Sequence, residues 1–393
     1  MKILFWISLF VVFYTFAGYG IVLYILVRLR RLVKGKRPIP DLSRHFPTLT
    51  LIVAAYNEES IMEEKIRNTL GLNYETDKLK LLFITDGSTD RSPDIISQFQ
   101  EIELMHSPAR KGKIHAIHRA MELVDSEIVV YTDANTFLNA DALLYIARHY
   151  ADPEVGAVSG EKRVMQDTVS DATAGEGFYW KYESALKKWD SELYSVVGAA
   201  GELFSVRRSL YRDVPPDTIL DDFMISMLIA MQGYRIIYEP DAYASELSSD
   251  DIKEELKRKV RIAAGGIQSI LRLKPLFNPF INPVLSFQYI SHRVLRWTIT
   301  PFLMILTFIL NVLICIQLPE PFFVLILLAQ CAFYSMAIGG FILEKRKIKV
   351  KLLFVPYYFC MMNYAVLAGI LRYLKGSQSS VWEKARRKTV SAQ

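Results

Sequence analysis

The stretch "EIVVYTDANTFLNADAL", residues 127–143, gives the clearest single indication of the fold. Its first residues are apolar and β-branched, as in a buried strand, yet they run directly into Asp133 and Asn135. Asp and Asn both favour turns, so a simple turn is one interpretation. The other is that Asp133 ends a strand because it holds a ligand there. The segments around this stretch favour the second interpretation.

Apolar runs alternate with amphipathic stretches through the middle of the chain. Strands are predicted over residues 49–54, 79–84, 102–105, 128–131 and 155–158, and helices over residues 58–70, 93–99, 113–124 and 140–150. Continuous apolar strands that alternate with helices predict an α/β domain with a parallel sheet covered by helices. In an open sheet of this kind, ligands bind beyond the carboxyl ends of the strands.

Polar clusters follow three of the predicted strands. They are "YNEE" (56–59), "TDGSTD" (85–90) and "TDAN" (132–135), and we expect all three to face one crevice. A turn alone does not explain why the pattern recurs at three strand ends. No GxGxxG follows the first strand and no GxxxxGK[ST] occurs, so a nucleotide bound here is held without the usual glycine-rich phosphate loops.

Long apolar runs lie on both sides of this polar middle. Residues 3–27 carry no charged side chain and, at about 25 residues, are long enough to span a bilayer. A signal peptide is the alternative, but the run exceeds the usual apolar core and only Lys2 precedes it. With the further runs at 297–317, 321–343 and 352–374, the sequence predicts a protein embedded among membrane lipids.

The distribution of Lys and Arg predicts the orientation. Several basic residues follow the first run, against only Lys2 before it, so residues 28–296 are expected in the cytoplasm. The basic cluster at 345–351 fits the same orientation. The run at 352–374 has basic residues on both sides, which leaves a re-entrant or interfacial segment open as an alternative to a membrane span.

Six segments are predicted in total: a transmembrane helix (1–28), a basic linker (29–47), the α/β domain (48–272), an interfacial segment (273–296), membrane segments (297–374) and a basic cytoplasmic tail (375–393). The 47 Lys and Arg against 41 Asp and Glu give a net charge of +6, which does not indicate nucleic acid as a partner. Cys315, Cys331 and Cys360 form no CxxC pair, so neither a disulfide framework nor a zinc site is expected.

Seven motifs in order resemble the family 2 glycosyltransferases, in particular the membrane-embedded branch that includes the poly-N-acetylglucosamine, hyaluronan and cellulose synthases. The motifs are "TLIVAAYNEE" (50–59), "LLFITDGSTD" (81–90), "RKGKIHAI" (110–117), "VVYTDANT" (129–136), "VGAVSGEKR" (155–163), "GAAGELFSVRR" (198–208) and "ILDDFMISMLIAMQGYRIIYEPDA" (219–242). The resemblance implies a GT-A fold with a Rossmann-like, mixed and mainly parallel sheet. It also implies a nucleotide-diphosphate sugar donor, Mg²⁺ or Mn²⁺, and inversion at the anomeric carbon by a single displacement.

The resemblance implies a donor site at the strand ends. The family's first nucleotide-contacting segment is matched by Tyr56, Asn57 and Glu58. Asp86 matches the aspartate that holds the base, and a carboxylate can accept a hydrogen bond from an imide N–H such as that of uracil, so a UDP-sugar is expected. Lys111 and Lys113 open a predicted helix, where ammonium groups and N-terminal amides both favour a diphosphate.

Asp133 and Asn135 stand where the family has its DxD metal motif. Mg²⁺ and Mn²⁺ prefer oxygen ligands, and such a metal bridges a carboxylate to the diphosphate of the donor. Asn135 offers a neutral carbonyl oxygen in place of a second carboxylate. Metal affinity is therefore expected to depend on Asp133 together with phosphate oxygens and water.

"LDDF" (220–223) aligns with the family's TED motif, which puts the general base at Asp222 and puts Asp221 where the family has Glu. The same two acids also begin a predicted helix, where acidic residues are common in the first turn. Both roles are compatible at a helix start inside a cleft. Acceptor-binding residues are predicted at Gly201, Glu202 and Trp180.

Residues 256–268 fall where the processive members of the family carry QxxRW. Arg261 matches the arginine, while Arg258 replaces the glutamine and Ile262 replaces the tryptophan. Arginines at this position can pair with donor phosphates. The missing indole removes a sugar-stacking surface, so processive synthesis of a long chain is not assured.

Three functions stay open at this point. The first is extension of a polysaccharide or glycolipid at the membrane, and the second is transfer of a single sugar to a polyprenyl-phosphate or other lipid-linked acceptor. The third is a transporter or scaffold whose soluble domain is no longer catalytic, which only Asn135 favours. Partner subunits are not predicted.

Overall fold

The structure, a computed structural model, describes residues 1–42, 46–165, 173–247, 252–346, 348 and 350–376. The chain divides into two compact units. Among the described residues, the helical unit holds 1–30, 173–186, 255–346, 348 and 350–376, and the sheet unit holds 31–42, 46–165, 187–247 and 252–254. Most of the predicted basic tail, from residue 377 onward, lies outside the described residues.

The strands are β1 (Leu49–Ala55), β2 (Leu79–Asp86), β3 (Glu103–Ser107), β4 (Ile128–Asp133), β5 (Thr136–Leu138), β6 (Val155–Met165), β7 (Leu203–Arg207) and β8 (Arg235–Leu247). The helices are α1 (Lys2–Phe13), α2 (Tyr19–Lys34), α3 (Glu59–Leu70), α4 (Ser92–Ile96), α5 (Lys113–Leu123), α6 (Ala142–Ala147), α7 (Thr173–Leu193), α8 (Asp221–Met231), α9 (Ile252–Arg272), α10 (Pro283–Tyr289), α11 (Leu295–Trp297), α12 (Thr300–Gln317), α13 (Pro321–Lys345) and α14 (Lys351–Leu374). Short π-helical turns occur at Tyr14–Gly18 and Ile290–Val294.

One sheet organises the sheet unit. In the described part of the chain it has eight strands, in the order β3-β2-β1-β4-β7-β6-β8-β5. Strands β3, β2, β1 and β4 run parallel, and β6 is parallel to β8. Strand β7 is antiparallel to β4 and β6, and β5 is antiparallel to β8. This mixed, mainly parallel sheet with helices confirms the predicted α/β fold class.

The register of the central strands brings the polar clusters to one edge of the sheet. Leu49 of β1 pairs with Leu79 of β2 and with Ile128 of β4, so the three strands start level. They end within two residues of one another: Asp133, the last residue of β4, pairs with Ala54, while Asp86, the last residue of β2, lies one residue beyond the pair of Ala55 with Thr85. The loops that follow these strands therefore lie side by side.

The interior of the sheet unit explains why these strands form where the sequence is most apolar. Every residue of β1 is buried, and Leu51 and Val53 belong to the same core cluster as Met62 and Ile66 of α3. In α3 the buried positions recur with the spacing of one helix face. That face holds the helix against the sheet.

The structure extends the predicted strands and adds three that were not predicted. Strand β6 continues to Met165 because its polar second half pairs with β8 beyond a register shift at Gly160. The added strands are β5, β7 and β8. Strand β8 contains Pro240 between Glu239 and Asp241, a composition that indicates a turn when it is considered alone.

The helical unit contains the apolar runs. Four stretches among the described residues are long and apolar enough to cross a membrane: Lys2–Lys34, Thr300–Gln317, Pro321–Lys345 and Leu352–Leu374. The first consists of α1 and α2, joined by a π-helical turn. Helix α14 is continuous through Pro356, so no re-entrant break interrupts its described residues. The orientation of these helices remains a prediction.

Polar contacts and small residues join the apolar helices. Asn311 of α12 donates a hydrogen bond to the side-chain oxygen of Gln330 on α13, at 2.8 Å. A Cβ on Gly340 would lie 2.4 Å from the carbonyl oxygen of Leu353, so the backbones of α13 and α14 approach closely there. Close approach at small residues and hydrogen bonds between helices are the usual forms of association in a membrane.

A buried carboxylate organises the segment that precedes α12. Both Arg293 and Arg296 donate to Glu183 of α7, each at 2.9 Å. Burial alone would raise the pKa of Glu183, but these cations hold it well below its usual range. The predicted interfacial segment, 273–296, also contains Phe280, which is 94% exposed.

Candidate active site

Side-chain hydrogen bonds tie the loop after β1 to the loop after β2. Asn57 adopts a left-handed backbone conformation, with φ of +53°, and its side-chain oxygen accepts a hydrogen bond from the Thr89 N–H at 2.8 Å. The Glu58 N–H donates to the Ser92 hydroxyl at 2.9 Å. Asn tolerates this conformation better than most residues, which explains its presence here. Asn57 and Glu58 thus fix the two loops against each other.

Asp86 organises the third loop of the site. Its Oδ2 accepts hydrogen bonds from the backbone N–H groups of Lys111 and Gly112, at 2.8 and 2.6 Å. Its Oδ1 lies 3.9 Å from the guanidinium of Arg119. The predicted base-binding aspartate therefore also holds the loop that carries the two lysines.

A pocket opens between these loops. The volume of the pocket is about 350 Å³, which includes space that is open to solvent. Its polar lining comes from Tyr56, Asp86, Arg110 and Lys113. The guanidinium carbon of Arg110 lies 3.7 Å from the centre of the Tyr56 ring, a cation–π contact that forms one wall. An aromatic ring, an acceptor and cations in one pocket suit a nucleotide.

Lys113 links the predicted metal ligand to the predicted catalytic pair. It begins α5, and its Nζ donates to Asp133 Oδ1 at 2.8 Å. The same Nζ lies 3.4 Å from Asp221 Oδ2. Burial alone would lower the pKa of Lys113, but Asp133 and Asp221 more than offset it, so the pKa lies above the usual lysine value. The site therefore contains an ammonium between two carboxylates.

Asp222 is the next residue of α8, and its carboxyl group is harder to ionise than an ordinary aspartate. Burial, followed by repulsion from Asp221, raises the pKa of Asp222 to about 7, although Lys113 acts in the opposite direction. A carboxylate with a pKa near the working pH suits general-base catalysis. Acids in the first turn also favour the start of α8, so the helix and the predicted base coincide.

The loop before β7 lies against Asp222. A Cβ on Gly201 would be 3.0 Å from Asp222 Oδ2, so a residue without a side chain leaves the carboxylate accessible there. The neighbouring Glu202 accepts a hydrogen bond from the buried ammonium of Lys162, at 2.6 Å. Lys162 also pairs with Glu246 of β8. The predicted acceptor residues Gly201 and Glu202 thus border the predicted base.

The segment between β4 and β5 is both a turn and a candidate ligand site. The Thr136 hydroxyl donates to the backbone oxygen of Asp133 at 2.9 Å, which closes the turn, and Asn135 is buried within it. Lys65 of α3, which has no exposed surface, donates to the backbone oxygen of Thr136 at 2.6 Å. The buried Lys65 side chain therefore stabilises the turn through a hydrogen bond to its backbone.

The residues at this edge fit a divalent ion that takes oxygen ligands. Asp133 offers a carboxylate and already has a cation, the Lys113 ammonium, against one of its oxygens. Mg²⁺ typically takes one or two carboxylates from the protein and the remaining ligands from phosphate and water. In the described residues, no group of three or more His, Cys, Asp or Glu could hold a metal. Asp133 and Asn135 thus suit an ion shared with a donor diphosphate.

Three predicted site residues belong to the helical unit: Trp180, Arg258 and Arg261. There, Arg258 forms a two-point ion pair with Glu255, with both N–O distances 3.0 Å. The ammonium of Lys259 lies 5.3 Å from the centre of the Trp180 ring. The roles of these three residues in donor or acceptor binding stay predictions.

Sequence reasoning missed Lys65, Arg110 and Lys162 as parts of the site. Lys65 carried a usable signal, because it occupies a position of the buried face of α3 together with Met62 and Ile66. A lysine in an apolar stripe needs a polar partner inside the protein. Arg110 and Lys162 lie within quoted motifs, but nothing in their spacing shows that they contact Tyr56 or Glu202.

Comparisons with known proteins agree with this arrangement. The family described as Glycosyl transferase family 2 matches residues 50–214. The poly-beta-1,6-N-acetyl-D-glucosamine synthase of Staphylococcus aureus (strain COL) is 28% identical over 234 residues, which covers 57% of this chain and 56% of that protein. The synthase of the same name from Staphylococcus epidermidis is 26% identical over 231 residues, with the same coverage. The chain thus spans little more than half the length of these relatives.

A solved structure is similar over nearly the whole chain. It is a mannosyltransferase from Pyrobaculum calidifontis in complex with GDP-Man and Mn²⁺, with a TM-score of 0.72 and 25% sequence identity. The similarity covers 95% of this chain and 100% of that one. Residues 50–214 therefore resemble a glycosyltransferase family 2 domain, in a chain with a GT-A type of fold and helices suited to membrane embedding.

Proposed function

We propose that this chain is an inverting glycosyltransferase, which moves a sugar from a nucleotide-diphosphate sugar to a growing polysaccharide or glycolipid at the membrane. The observation that carries the proposal is the arrangement around Lys113. Asp133 at the end of β4 and Asp221 at the start of α8 both lie near its ammonium, and Asp222 follows directly. A candidate metal ligand and a candidate base are thereby brought to one site.

In the proposed reaction, Asp222 acts as the general base. It accepts the proton of an acceptor hydroxyl while the hydroxyl oxygen forms a bond to the anomeric carbon of the donor. The bond between that carbon and the phosphate oxygen breaks, and the nucleoside diphosphate leaves with the electron pair. One displacement inverts the anomeric configuration. A pKa of about 7 at Asp222 supports this role, since the group ionises near neutral pH and is basic enough to take the proton.

The other side chains are proposed to hold the donor. Asp133, with the Asn135 side chain, would hold a divalent ion, which stabilises the charge on the leaving diphosphate. Lys113 supplies a positive charge beside the same oxygens, and the first amides of α5 favour an anion at that position. Tyr56 and Asp86 line the pocket in which the base is expected to bind.

A UDP-sugar is the first donor to test, and GDP-mannose is the second. The relatives from Staphylococcus are named as synthases of poly-beta-1,6-N-acetyl-D-glucosamine, which supports a UDP-linked amino sugar. The similar mannosyltransferase structure holds GDP-Man and Mn²⁺, which supports GDP-mannose and a divalent ion. Asp86 as a base contact is compatible with either base, since a carboxylate can accept from the imide N–H of uracil or from the ring N–H and amino group of guanine.

A second candidate function is the transfer of a single sugar to a polyprenyl-phosphate or other lipid-linked acceptor. The extent of similarity favours it: the mannosyltransferase matches 95% of this chain, whereas the polymer synthase matches 57%. Ile262, which replaces the tryptophan of QxxRW, favours it as well. A transporter or scaffold is disfavoured, because Asp133, Lys113 and Asp221 retain a site suited to catalysis.

The test is the release of nucleoside diphosphate by detergent-purified protein. Each of several UDP- and GDP-sugars is incubated with membrane lipid extract as acceptor, in Mg²⁺, in Mn²⁺ and in EDTA. We expect one donor to support release that EDTA abolishes, with incorporation of labelled sugar into lipid or polymer. The product distinguishes the two candidates, since one sugar per acceptor indicates single transfer and a ladder of lengths indicates polymerisation. Absence of release and of incorporation with every donor would contradict both.

A further inference from the structure

The Lys113 ammonium occupies the space beside Asp133 that a metal ion bound to Asp133 would need. Its Nζ lies 2.8 Å from Asp133 Oδ1 and 3.4 Å from Asp221 Oδ2, and its side chain is 19% exposed. A divalent ion on Asp133 would compete with Lys113 for Oδ1 and would repel the neighbouring ammonium. The site thus already contains a cation that the metal must displace.

We infer that Lys113 is a resident counter-cation that competes with the divalent ion for Asp133, so that the ion binds tightly only together with the donor diphosphate. The inference rests on the proposed function of Asp133 as a metal ligand. It adds an order of events, in which a nucleotide-free site holds the metal weakly and a bound diphosphate strengthens metal binding.

A bound diphosphate draws the Lys113 ammonium away from Asp133. Lys113 is the first residue of α5, and the N-terminus of a helix favours an anion, so the Lys113 ammonium can turn from Asp133 to the oxygens of a phosphate bound there. Asp133 then loses its counter-cation at the moment when a metal with phosphate ligands becomes available. Asn135 adds no charge of its own, so Asp133 alone balances either Lys113 or the metal in this turn.

The consequence is that the metal and the nucleotide each strengthen the binding of the other. If a diphosphate strengthens metal binding by a given factor, the metal strengthens diphosphate binding by the same factor. Because the competing ammonium is covalently part of the site, its removal changes metal affinity even when no nucleotide is present. That nucleotide-free effect separates competition by Lys113 from a simple contact between Lys113 and phosphate.

The experiment titrates Mn²⁺ into detergent-solubilised full-length protein and follows free Mn²⁺ by electron paramagnetic resonance, without nucleotide and then with UDP or GDP. The variants are Lys113→Met, Lys80→Met and Asp133→Ala. Lys80 is the matched control, since it is a partly exposed lysine that pairs with Glu103 and has no assigned role in the site. Thermal melting of each variant checks that it is folded.

Without nucleotide, Lys113→Met is expected to bind Mn²⁺ about tenfold more tightly than the wild type, a typical size for coupling between sites. Lys80→Met should match the wild type both without and with nucleotide. Addition of UDP or GDP should strengthen Mn²⁺ binding by the wild type more than by Lys113→Met. Asp133→Ala should remove the nucleotide-dependent binding.

Two results overturn the inference, and they differ in what they say about the proposed function. If Lys113→Met binds Mn²⁺ without nucleotide no more tightly than the wild type, the competition is absent, while loss of binding in Asp133→Ala would still support the metal site. If Asp133→Ala binds Mn²⁺ and nucleotide as the wild type does, the metal assignment and the competition both fail.

Discussion

Asp221 and Asp222 are neighbours in sequence, yet the charges around them separate their roles. Asp221 lies 3.4 Å from the Lys113 ammonium and forms an ion pair with it. Asp222 is affected by burial and by the charge of Asp221, and both raise its pKa. One carboxylate thus stays paired while the next is the better proton acceptor.

Substitution of Asp221 by Asn is expected to shift the pH profile. Loss of the neighbouring negative charge lowers the pKa of Asp222 from about 7, so the base becomes ionised at lower pH. The acidic limb of kcat/KM for nucleoside diphosphate release should therefore move to lower pH. Asp94→Asn, at an exposed position in α4, is the control and should leave the limb in place. An Asp221→Asn limb that stays fixed or rises would contradict this explanation of the Asp222 pKa.

Lys65 gives a second prediction for a single residue. Burial lowers its pKa to about 7, while Asp133 opposes the shift. An unfolded lysine has a pKa of about 10.4, so between about pH 7 and about pH 10 the unfolded state binds more protons. Stability contributed by this position therefore rises with pH across that window and is lowest at its acidic end.

Lys65→Met removes the titrating group and with it this pH dependence. The stability of the variant relative to that of the wild type should be greatest near pH 7, and this difference in stability should shrink as the pH rises. The measurement is the melting temperature of both proteins in detergent across this pH range, with Lys80→Met as a surface control. A difference between variant and wild type that stays constant with pH would show that Lys65 is not neutralised by burial.

At the scale of elements, helix starts and tight loops rather than strands complete the site. Helix α5 brings Lys113 and helix α8 brings Asp221, each at its first turn. The loop before β7 packs on α8 through Gly198, where a Cβ would lie 2.1 Å from the Phe223 ring. The same loop places Gly201 against Asp222, so the packing of the loop on α8 affects the position of the predicted general base.

Gly198→Ala and Gly233→Ala form a matched pair. Both glycines have positive φ, +86° and +94°, so each substitution carries a backbone cost of roughly 1 kcal/mol. Around Gly233 no heavy atom of the described chain lies within 4 Å of an added Cβ, whereas Gly198 also meets Phe223, which adds roughly 1–3 kcal/mol of overpacking. Thermal melting should show the larger loss for Gly198→Ala. Equal losses would mean that the loop moves away from α8 freely.

The elements also show how far the sequence alone predicts this protein. Strands β1, β2 and β4 were found because they are short, continuous apolar runs, and the polar residues that follow them mark the ligand edge. Strands β5, β7 and β8 were missed because β5 has three residues and the others mix polar and apolar positions whose pairing depends on distant partners. Local patterns do not contain that information.

The candidate site follows the same division. Asp133, Lys113 and Asp222 came from motifs in order, and the structure brings the first two within 2.8 Å. Their electrostatics did not come from the sequence: the ammonium between Asp133 and Asp221 and the burial of Lys65 both require three-dimensional proximity. Motif spacing identifies residues, whereas charge balance depends on the fold.

At the scale of the whole molecule, the two compact units differ in what they supply. The sheet unit contains most of the residues that match the family 2 model, together with the cluster of Lys113, Asp133, Asp221 and Asp222. The helical unit contains the four described stretches suited to a membrane and, in Arg258 and Arg261, cations that are predicted to contact the donor.

The most direct test of glycosyl transfer at this site is the turnover of Asp222→Asn with the donor that supports release, alongside its affinity for Mn²⁺ and nucleoside diphosphate. We expect turnover to fall by about 10²–10⁴-fold, the usual contribution of a general base, while metal and nucleotide affinity stay unchanged. Turnover within a few-fold of the wild type would contradict the account, because the proton of the acceptor would then have another destination.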